Sequence, residues 1–344
     1  MRKQIIIRGV PVGGGAPVAV QSMTSTKTED VAGTLAQIQR LETAGCEIIR
    51  LAVPNMAAVR AFGEIRARVP LPMVADIHFD YRLALEAVAA GADKVRINPG
   101  NIGGDDKVKQ VVQTCAARNI PIRIGVNGGS LEKDILARYG PTPQGMVESA
   151  LGHVALLNRF DFDNICLSVK SSSVADTVQA YRLLHQRTIY PLHLGVTEAG
   201  TAYMGTIKSA IGIGSLLLDG IGDTIRVSLT DDPVEEVRAA RAILQSVGLR
   251  RFGPEIISCP TCGRCQIDLI ALTKEVETRL ADETREITVA VMGCAVNGPG
   301  EAAAADYGIA GGVGEGLLFC RGEVVGKVQM AELVDALMGL IAGQ

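Results

Sequence analysis

Eight short β-rich segments alternate with amphipathic helical segments over residues 1–250, and this alternation restricts the fold more than any other feature. Strands separated by helices run parallel, because each crossover helix returns the chain to the same edge of the sheet. Eight such units in one domain of this length predict a closed (β/α)₈ barrel of the TIM type, with an open doubly wound sheet as the alternative. The β-rich segments are 18–23, 47–53, 72–78, 94–98, 121–127, 164–170, 192–198 and 224–230.

The pattern changes after a glycine-containing hinge near Gly248–Gly253. The remaining segment has two strand-like runs, Glu255–Ser258 and Ile287–Met292, with a helical pattern between them. A hairpin and a closing helix follow, so we expect a small α+β domain over 251–344 after a barrel domain over 1–250.

Composition and charge narrow the classes of function. The net charge is −3 and the pI is about 5.9, which gives no support for nucleic acid as a partner. No apolar run reaches the roughly 18–20 residues that a membrane span requires, and we therefore expect a cytoplasmic enzyme that does not cross a membrane. Five of the eight cysteines fall in the last quarter of the chain, a clustering that indicates metal binding in a reducing compartment.

Polar side chains end the barrel strands. Because alternate residues of a strand share a face, these side chains should point into the barrel, while the isoleucines and valines between them face the outer helices. Charge in a barrel lumen is costly unless a ligand and solvent share the space, so the positions predict an anion-binding mouth. The predicted substrate-binding residues are Arg50, Asp76, His78, Arg96, Asn98, Arg123, Asn127, Lys170, Arg226 and Ser228.

The cations in this set exceed the available carboxylates. Any one arginine could pair with Asp76 or Glu198 inside the lumen. Five cations from five strands outnumber these two carboxylates, and guanidinium groups match phosphate oxygens in a bidentate geometry. The excess predicts an anionic ligand with phosphate groups.

The cysteines of the second domain form a metal-site pattern. Cys259 and Cys262 are three positions apart on a predicted turn, and Cys294 begins a second loop in which Asn297–Gly300 should fold Glu301 back toward it. Spacing alone leaves a structural zinc site and an iron–sulfur cluster as competing interpretations.

Two loops and eight barrel segments resemble the hydroxymethylbutenyl diphosphate synthase family, known as IspG or GcpE. The loops are Ser258–Arg264 and Met292–Glu301, and the resemblance extends over essentially the whole chain. The barrel segments are Gln21–Thr24, Arg50–Pro54, Ala75–His78, Arg96–Asn101, Arg123–Asn127, Ser168–Ser171, Gly195–Glu198 and Arg226–Ser228.

The resemblance implies a [4Fe–4S] cluster bound by Cys259, Cys262, Cys294 and Glu301. One departure from the family pattern is Cys265, which could compete with Glu301 as the fourth ligand. We favour Glu301, because a carboxylate is the more exchangeable ligand of an iron that must meet substrate.

The resemblance also implies a reaction and its partners. Methylerythritol cyclodiphosphate would be reduced and dehydrated to a linear allylic diphosphate, with Glu198 and Glu301 as catalytic residues and Glu198 as the proton donor. Asp76, Asn98 and Asn127 would position substrate hydroxyls, and His78 is either a proton shuttle or a hydrogen-bonded core residue. A head-to-tail homodimer and an external flavodoxin or ferredoxin are implied as well.

Two other classes of function compete with this interpretation. In one, the barrel is a phosphate-binding lyase or transferase, and the second domain is stabilised by zinc. In the other, the chain is a non-enzymatic iron–sulfur sensor or carrier. The metal content distinguishes the first alternative, which predicts zinc, from an iron–sulfur enzyme. Turnover with a low-potential reductant distinguishes an enzyme from the sensor or carrier.

Replacing Glu301 tests the ligand assignment. We expect Glu301→Ala to abolish most of the turnover, because the iron would lose the exchangeable ligand that yields to substrate. The measurement is steady-state turnover of the cyclodiphosphate, with iron content determined on the same sample. Near-normal activity would instead identify Cys265 as the fourth ligand.

Overall fold

A computed structural model describes residues 2–294, 300 and 302–343 of the chain, with the side chain of Ser130 left out. Residue contacts divide the chain into two compact units, Met1–Arg250 and Arg251–Gln344. In the described part of the chain, no helix combines the length and the apolar character that a membrane crossing needs.

The first unit contains a parallel barrel of eight strands in chain order. Hydrogen-bonded neighbours run from β3 to β8, β10 pairs with both β3 and β9, and a bridge between Leu167 and Leu192 joins β8 to the start of β9. The expected barrel is therefore confirmed, and the open sheet is not formed. The strands are β3 Ala19–Met23, β4 Ile48–Ala52, β5 Met73–Asp76, β6 Lys94–Ile97, β7 Ile122–Asn127, β8 Ile165–Lys170, β9 His193–Leu194 and β10 Thr224–Ile225.

Ten helices of the first unit follow or flank these strands, and local sequence determines where several begin. Asp30 Oδ1 accepts a hydrogen bond from Gly33 N at 3.0 Å and caps the first helix. Asp232 caps the last in the same way, with Pro233 in its first turn. The helices are α1 Val31–Thr43, α2 Met56–Arg66, α3 Tyr81–Ala89, α4 Pro99–Ile102, α5 Asp105–Ala117, α6 Lys133–Tyr139, α7 Pro143–Asn158, α8 Val174–Arg187, α9 Ala202–Leu218 and α10 Pro233–Ser246.

An N-terminal hairpin covers the amino-terminal end of the barrel. Its strands, β1 Ile5–Ile7 and β2 Val10–Val12, pair antiparallel. The hairpin forms one apolar cluster with residues at the lower ends of the barrel strands. The buried members of this cluster are Ile5, Ile7, Val12, Ala19, Ile48, Val74 and Cys166. The hairpin therefore packs against apolar side chains from the lower ends of the barrel strands.

The described residues of the second unit form a five-stranded mixed sheet packed against two helices. The strands are β11 Glu255–Ser258, β12 Thr288–Met292, β13 Tyr307–Ala310, β14 Glu315–Cys320 and β15 Glu323–Gln329, in that order across the sheet. β11, β12 and β13 are parallel, and β13, β14 and β15 are antiparallel. The helices α11 Leu269–Arg279 and α12 Leu333–Ala342 contribute to one buried apolar cluster with the sheet.

The sequence did not predict β13, the strand that lies between the two predicted pairs. Its short apolar run contains Gly308, whose missing side chain leaves room for the ring of Phe319 on β14. Glycine weakens a strand pattern in sequence, although here it permits close packing. Residues 311–314 join β13 to β14, which pair antiparallel.

Candidate active site

A polar cavity of about 250 Å³ lies at the carboxyl end of the barrel strands. This is the end at which barrel enzymes carry their active sites. Nine of the ten predicted substrate-binding residues line it. The lining consists of Met23, Arg50, Asp76, His78, Arg96, Arg123, Asn127, Ser168, Lys170, Thr197, Arg226 and Ser228.

Strand register brings the charged side chains to one level. Asp76 is the register neighbour of Arg96, and Arg96 is the neighbour of Arg123 on the next strand. Met23 and Arg50 are paired in the same way on β3 and β4. Hydrogen-bonded neighbours on adjacent strands lie about 5 Å apart, so the barrel places like charges side by side.

Asp76 is the anionic centre of this group. Its carboxylate lies 3.1 Å from Arg96 Nη1, 3.6 Å from Arg50 Nε and 3.5 Å from His78 Nε2. Burial alone would raise the pKa of Asp76. Arg50, the hydrogen bond from His78 and the charge of Arg96 outweigh burial and lower that pKa below its ordinary value. Asp76 is therefore ionised at neutral pH.

A second carboxylate pairs with a cation of the cavity, and it is supplied by one of the outer helices. Glu236 on α10 lies 3.2 Å from Arg226 Nη2 and accepts a hydrogen bond from Leu229 N at 2.9 Å. Arg226 also donates to Ser228 Oγ at 2.7 Å. The sequence pointed to Glu198 as the second carboxylate available for lumen pairing, whereas in the structure Glu236 takes that place.

Arg123 and Lys170 have no carboxylate within ion-pair distance among the described residues. Arg123 Nη1 donates to Ser168 Oγ at 2.9 Å, while its Nε and Nη2 contact no acceptor in the described part of the chain. Lys170 Nζ lies over Gly195, where a Cβ atom would come within 2.5 Å of it. A side chain at Gly195 would therefore displace the lysine from the cavity.

Burial and mutual repulsion act on these cations. Burial lowers the pKa of Arg50 to about 9, against the opposing effect of Asp76. Burial and the charge of Arg96 lower the pKa of Arg123 to about 10. The pKa of Lys170 is lowered well below its usual value by burial and then by Arg123 and Arg50. A polyanionic ligand would relieve this repulsion and restore the charged forms.

Two predicted residues lie outside the cavity lining. The Asn98 side chain caps α4 by accepting a hydrogen bond from Gly100 N at 3.2 Å, so its Oδ1 is already engaged by the backbone. Glu198 is exposed and has a φ of 52°. It lines an adjacent recess together with Asn127, Lys170 and Thr197, three residues that also line the main cavity.

Three lining residues and one supporting residue were not identified as site residues from the sequence. The parity of the strands could have identified Met23, which accepts hydrogen bonds from Arg50 at 2.9 and 3.1 Å, and Ser168, two positions before Lys170. Thr197 follows β9 and carries no charge to mark it. Glu236 lies on a helix, and no local pattern connects it with Arg226.

The second unit gathers the predicted metal-binding cysteines after two adjacent parallel strands. Ser258 is the register neighbour of Val291, so the loops that follow β11 and β12 start side by side. Gly293 N donates to Cys259 Sγ at 3.2 Å, and Cys262 is exposed. An N–H group directed at a cysteine sulfur is a typical neighbour of cluster thiolates. The thiols therefore fit attachment of a cluster. Among the described residues, no three His, Cys, Asp or Glu side chains lie close enough together to bind a metal ion.

Glu301, the predicted fourth ligand, lies outside the described residues. The competing thiol of Cys265 is described. It donates to Ile267 O at 3.3 Å and packs against the apolar cluster of the second unit. It also lies 2.7 Å from the position of a Cβ at Gly293, so this glycine provides the space that the sulfur fills.

Family models match both units. A model described as the GcpE TIM-barrel domain matches residues 2–241, and one described as the GcpE protein C-terminal domain matches residues 255–343. The chain is 59% identical over 337 residues to the 4-hydroxy-3-methylbut-2-en-1-yl diphosphate synthase (flavodoxin) of Geobacter sulfurreducens, covering 98% of this chain and 96% of that protein. The synthase of the same name from Caldicellulosiruptor saccharolyticus is 58% identical over 339 residues, covering 98% and 97%.

Solved structures with a similar fold are much more distant in sequence. The dihydropteroate synthase of Yersinia pestis is 15% identical and has a TM-score of 0.52, covering 72% of this chain and 100% of that one. The enzyme from Stenotrophomonas maltophilia gives the same identity and score, with 71% and 98% covered. At this identity the likeness shows a shared barrel and carries no information about the reaction.

The ion pairs of Asp76 generate a stability prediction. Asp76→Asn should lower the free energy of unfolding of the barrel by about 3–5 kcal/mol at pH 7, because it leaves buried guanidinium groups without their counter-charge. Urea-induced unfolding followed by circular dichroism measures the change. In the matched control Asp105→Asn, which removes an exposed ion pair with Arg159, the loss should stay within about 1 kcal/mol. Equal losses in the two variants would contradict the role of Asp76.

Proposed function

The chain belongs to the GcpE family, and we propose that it converts 2-C-methyl-D-erythritol 2,4-cyclodiphosphate to 4-hydroxy-3-methylbut-2-enyl diphosphate by reductive ring opening and dehydration. This oxidoreductase reaction belongs to the non-mevalonate route to isoprenoid precursors. The observation that carries the proposal is the excess of cations over carboxylates around one cavity. Five cations face it, while the ion pairs of the described residues supply it with only Asp76 and Glu236.

The diphosphate is bound by Arg123, Lys170 and Arg226, which all line the cavity. Arg123 keeps Nε and Nη2 available, and Lys170 has no carboxylate partner among the described residues. Arg226 presents a guanidinium already oriented by Glu236 and Ser228. Arginine forks and a lysine point charge together suit the oxygens of two linked phosphate groups. Asp76 and Asn127 remain as the polar groups for the hydroxyls of the carbon skeleton.

Cys259, Cys262, Cys294 and Glu301 hold a [4Fe–4S] cluster in this proposal. When bound, such a cluster supplies the two electrons of the reduction one at a time. Gly293 orients Cys259 through its N–H group, and the exposed Cys262 lies at the solvent side of the same loop. The Cys265 sulfur already donates to Ile267 O, which supports Glu301 rather than Cys265 as the fourth ligand.

Glu198 supplies the proton for the hydroxyl that leaves as water. It lies in the recess beside the cavity, next to Lys170 and Asn127. Its exposure allows it to exchange protons with solvent between turnovers, which a general acid needs. His78, with Nε2 3.5 Å from Asp76 Oδ2, contacts the same carboxylate oxygen as Arg50 and serves as a positioning residue.

The proposal includes a homodimer in which the second unit of one subunit covers the barrel of the other. Exposed apolar side chains lie on the mouth side of the barrel, in segments that follow β5 and β9. Phe79 is 73% exposed and Tyr203 is 76% exposed. Large exposed apolar groups around a polar site are typical of contact surfaces.

In this proposal, the barrel domain over 1–250 binds substrate, and the domain over 251–344 carries the cluster.

An external one-electron carrier reduces the cluster, and the relatives named above carry flavodoxin in their names. Flavodoxin is therefore the proposed donor, with ferredoxin as the alternative. Eight free thiols and an oxygen-sensitive cluster suit the reducing environment of the cytoplasm.

Iron analysis combined with turnover tests the proposal. Anaerobically purified protein should be brown and contain about four iron and four sulfide ions per chain, and it should convert the cyclodiphosphate when a low-potential reductant is supplied. Colourless protein with stoichiometric zinc would support the lyase or transferase interpretation. Brown protein without turnover would support an iron–sulfur sensor.

Removing Arg123 tests the diphosphate site. Arg123→Leu should weaken substrate binding by at least about 1.5–3 kcal/mol, because a charge-assisted hydrogen bond to a phosphate oxygen is lost. Calorimetric titration of the anaerobic protein with substrate measures the change. Arg60→Leu removes an exposed arginine on α2 and is the control, with no change expected. Unchanged affinity in Arg123→Leu would exclude Arg123 from the site.

A further inference from the structure

A second polar layer lies beneath the cavity, and neither the sequence nor the family assigns it a role. We call it the floor layer and define it as Gln21, Lys94 and His193, each exposed by 1% or less. Lys94 lies two residues before Arg96 on β6 and shares its face, which places it about 7 Å deeper in the lumen.

Lys94 has almost no compensation for a positive charge. Its Nζ donates to Gln21 Oε1 at 3.3 Å, and the described residues offer it no carboxylate within ion-pair distance. His193 engages Thr224 Oγ1 at 2.7 Å through Nδ1 and cannot neutralise an ammonium. Asp76 and Glu236 already pair with arginines above this layer.

The groups that face Lys94 from the neighbouring strands are neutral or cationic. The register neighbour on β5 is Val74, with Asp76 one pleat higher and engaged with Arg50 and Arg96. Packing an ammonium among guanidinium groups in a dry lumen disfavours the charged form. The polar and titratable groups around it are Gln21 from β3, Arg50 from β4, Arg96 from its own strand, Arg123 from β7, Cys166 and Lys170 from β8, and His193 from β9.

We propose that Lys94 takes up a proton from solvent when the cavity binds its diphosphate, and that the resulting ammonium supplies a sixth positive charge beneath the ligand. The inference rests on the proposed diphosphate substrate. The ligand provides the negative charge that no described carboxylate supplies near Lys94, and the lone pair of the Lys94 amine accepts the proton. Lys94 does not line the cavity. It is therefore a positioning residue that acts through the field in the lumen.

The pH range of this uptake follows from the ligand-free state. Burial, opposed by Cys166 and reinforced by Arg123 and Arg50, lowers the pKa of Lys94 to about 7. At pH 8 the amine is mostly neutral without ligand, and a bound anion raises its pKa, so uptake is large. At pH 6 Lys94 is already protonated in most molecules, and uptake is small. The contribution of Lys94 to the diphosphate affinity should therefore increase as the pH falls from 8 toward 7.

Calorimetry of anaerobically purified full-length protein with inorganic pyrophosphate measures the uptake. Titrations at pH 8 in two buffers of different ionisation enthalpy count the protons exchanged on binding. We expect Lys94→Met to take up about 0.8 of a proton less than the wild type and to bind about tenfold more weakly. Titration of pyrophosphate itself contributes equally to both proteins and cancels in the difference. Lys109→Met, which alters an exposed lysine of α5, should match the wild type.

Stability measurements separate this role from a structural one. Because the ligand-free protein buries a poorly compensated amine, Lys94→Met should melt at the same temperature as the wild type or higher, and the gain should be largest at pH 6. Lys94→Gln tests the same point with a polar group. Failure of both variants to fold would overturn the proposal, since it would show that the ligand-free fold requires the lysine.

The possible outcomes distinguish this inference from the proposed function. If the wild type does not bind pyrophosphate, the diphosphate site itself is wrong. If it binds pyrophosphate with the same proton count as Lys94→Met, or if the difference in proton uptake between the two proteins is no smaller at pH 6 than at pH 8, the diphosphate site stands and the role of Lys94 is wrong.

Discussion

Electrostatic repulsion inside the barrel mouth is the constraint on which the rest of the first unit depends. Five cationic side chains from five strands face a cavity of about 250 Å³, and two carboxylates pair with only some of them. Repulsion among these cations lowers the stability of the barrel, and packing elsewhere in the unit must compensate for it. The apolar outer faces of the strands, the surrounding helices and the N-terminal hairpin provide that packing.

Repulsion among the cations also favours the binding of an anionic ligand. A ligand with two linked phosphate groups replaces repulsion with attraction, and it enters a site whose side chains are already oriented. Neutral partners contribute to this orientation beside the carboxylates of Asp76 and Glu236: Met23 for Arg50, Ser168 for Arg123 and Ser228 for Arg226. The neutral partners hold the guanidinium groups without adding negative charge to the cavity. Lys94 extends the same principle into the layer below.

The second unit meets a different requirement. The proposed cluster needs ligand loops that are fixed at their bases and open at their tips, so that metal can enter. The loops after β11 and β12 start from adjacent parallel strands, and Gly293 lies between the sulfurs of Cys259 and Cys265.

The sequence by itself determined the barrel, the face of each charged strand residue and the cysteine pattern, because these depend on local periodicity and short spacings. Parity placed Arg96 and Arg123 in the lumen without any knowledge of the closed sheet. Only the tertiary structure decided which groups meet across the barrel: Glu236 reaches Arg226 from a helix, and Lys94 meets Gln21 across the lumen. The Asn98 side chain, predicted to position substrate hydroxyls, also caps α4, a contact that the strand pattern does not reveal. Contacts of this kind depend on strand closure and helix packing, which bring together residues that no local pattern relates.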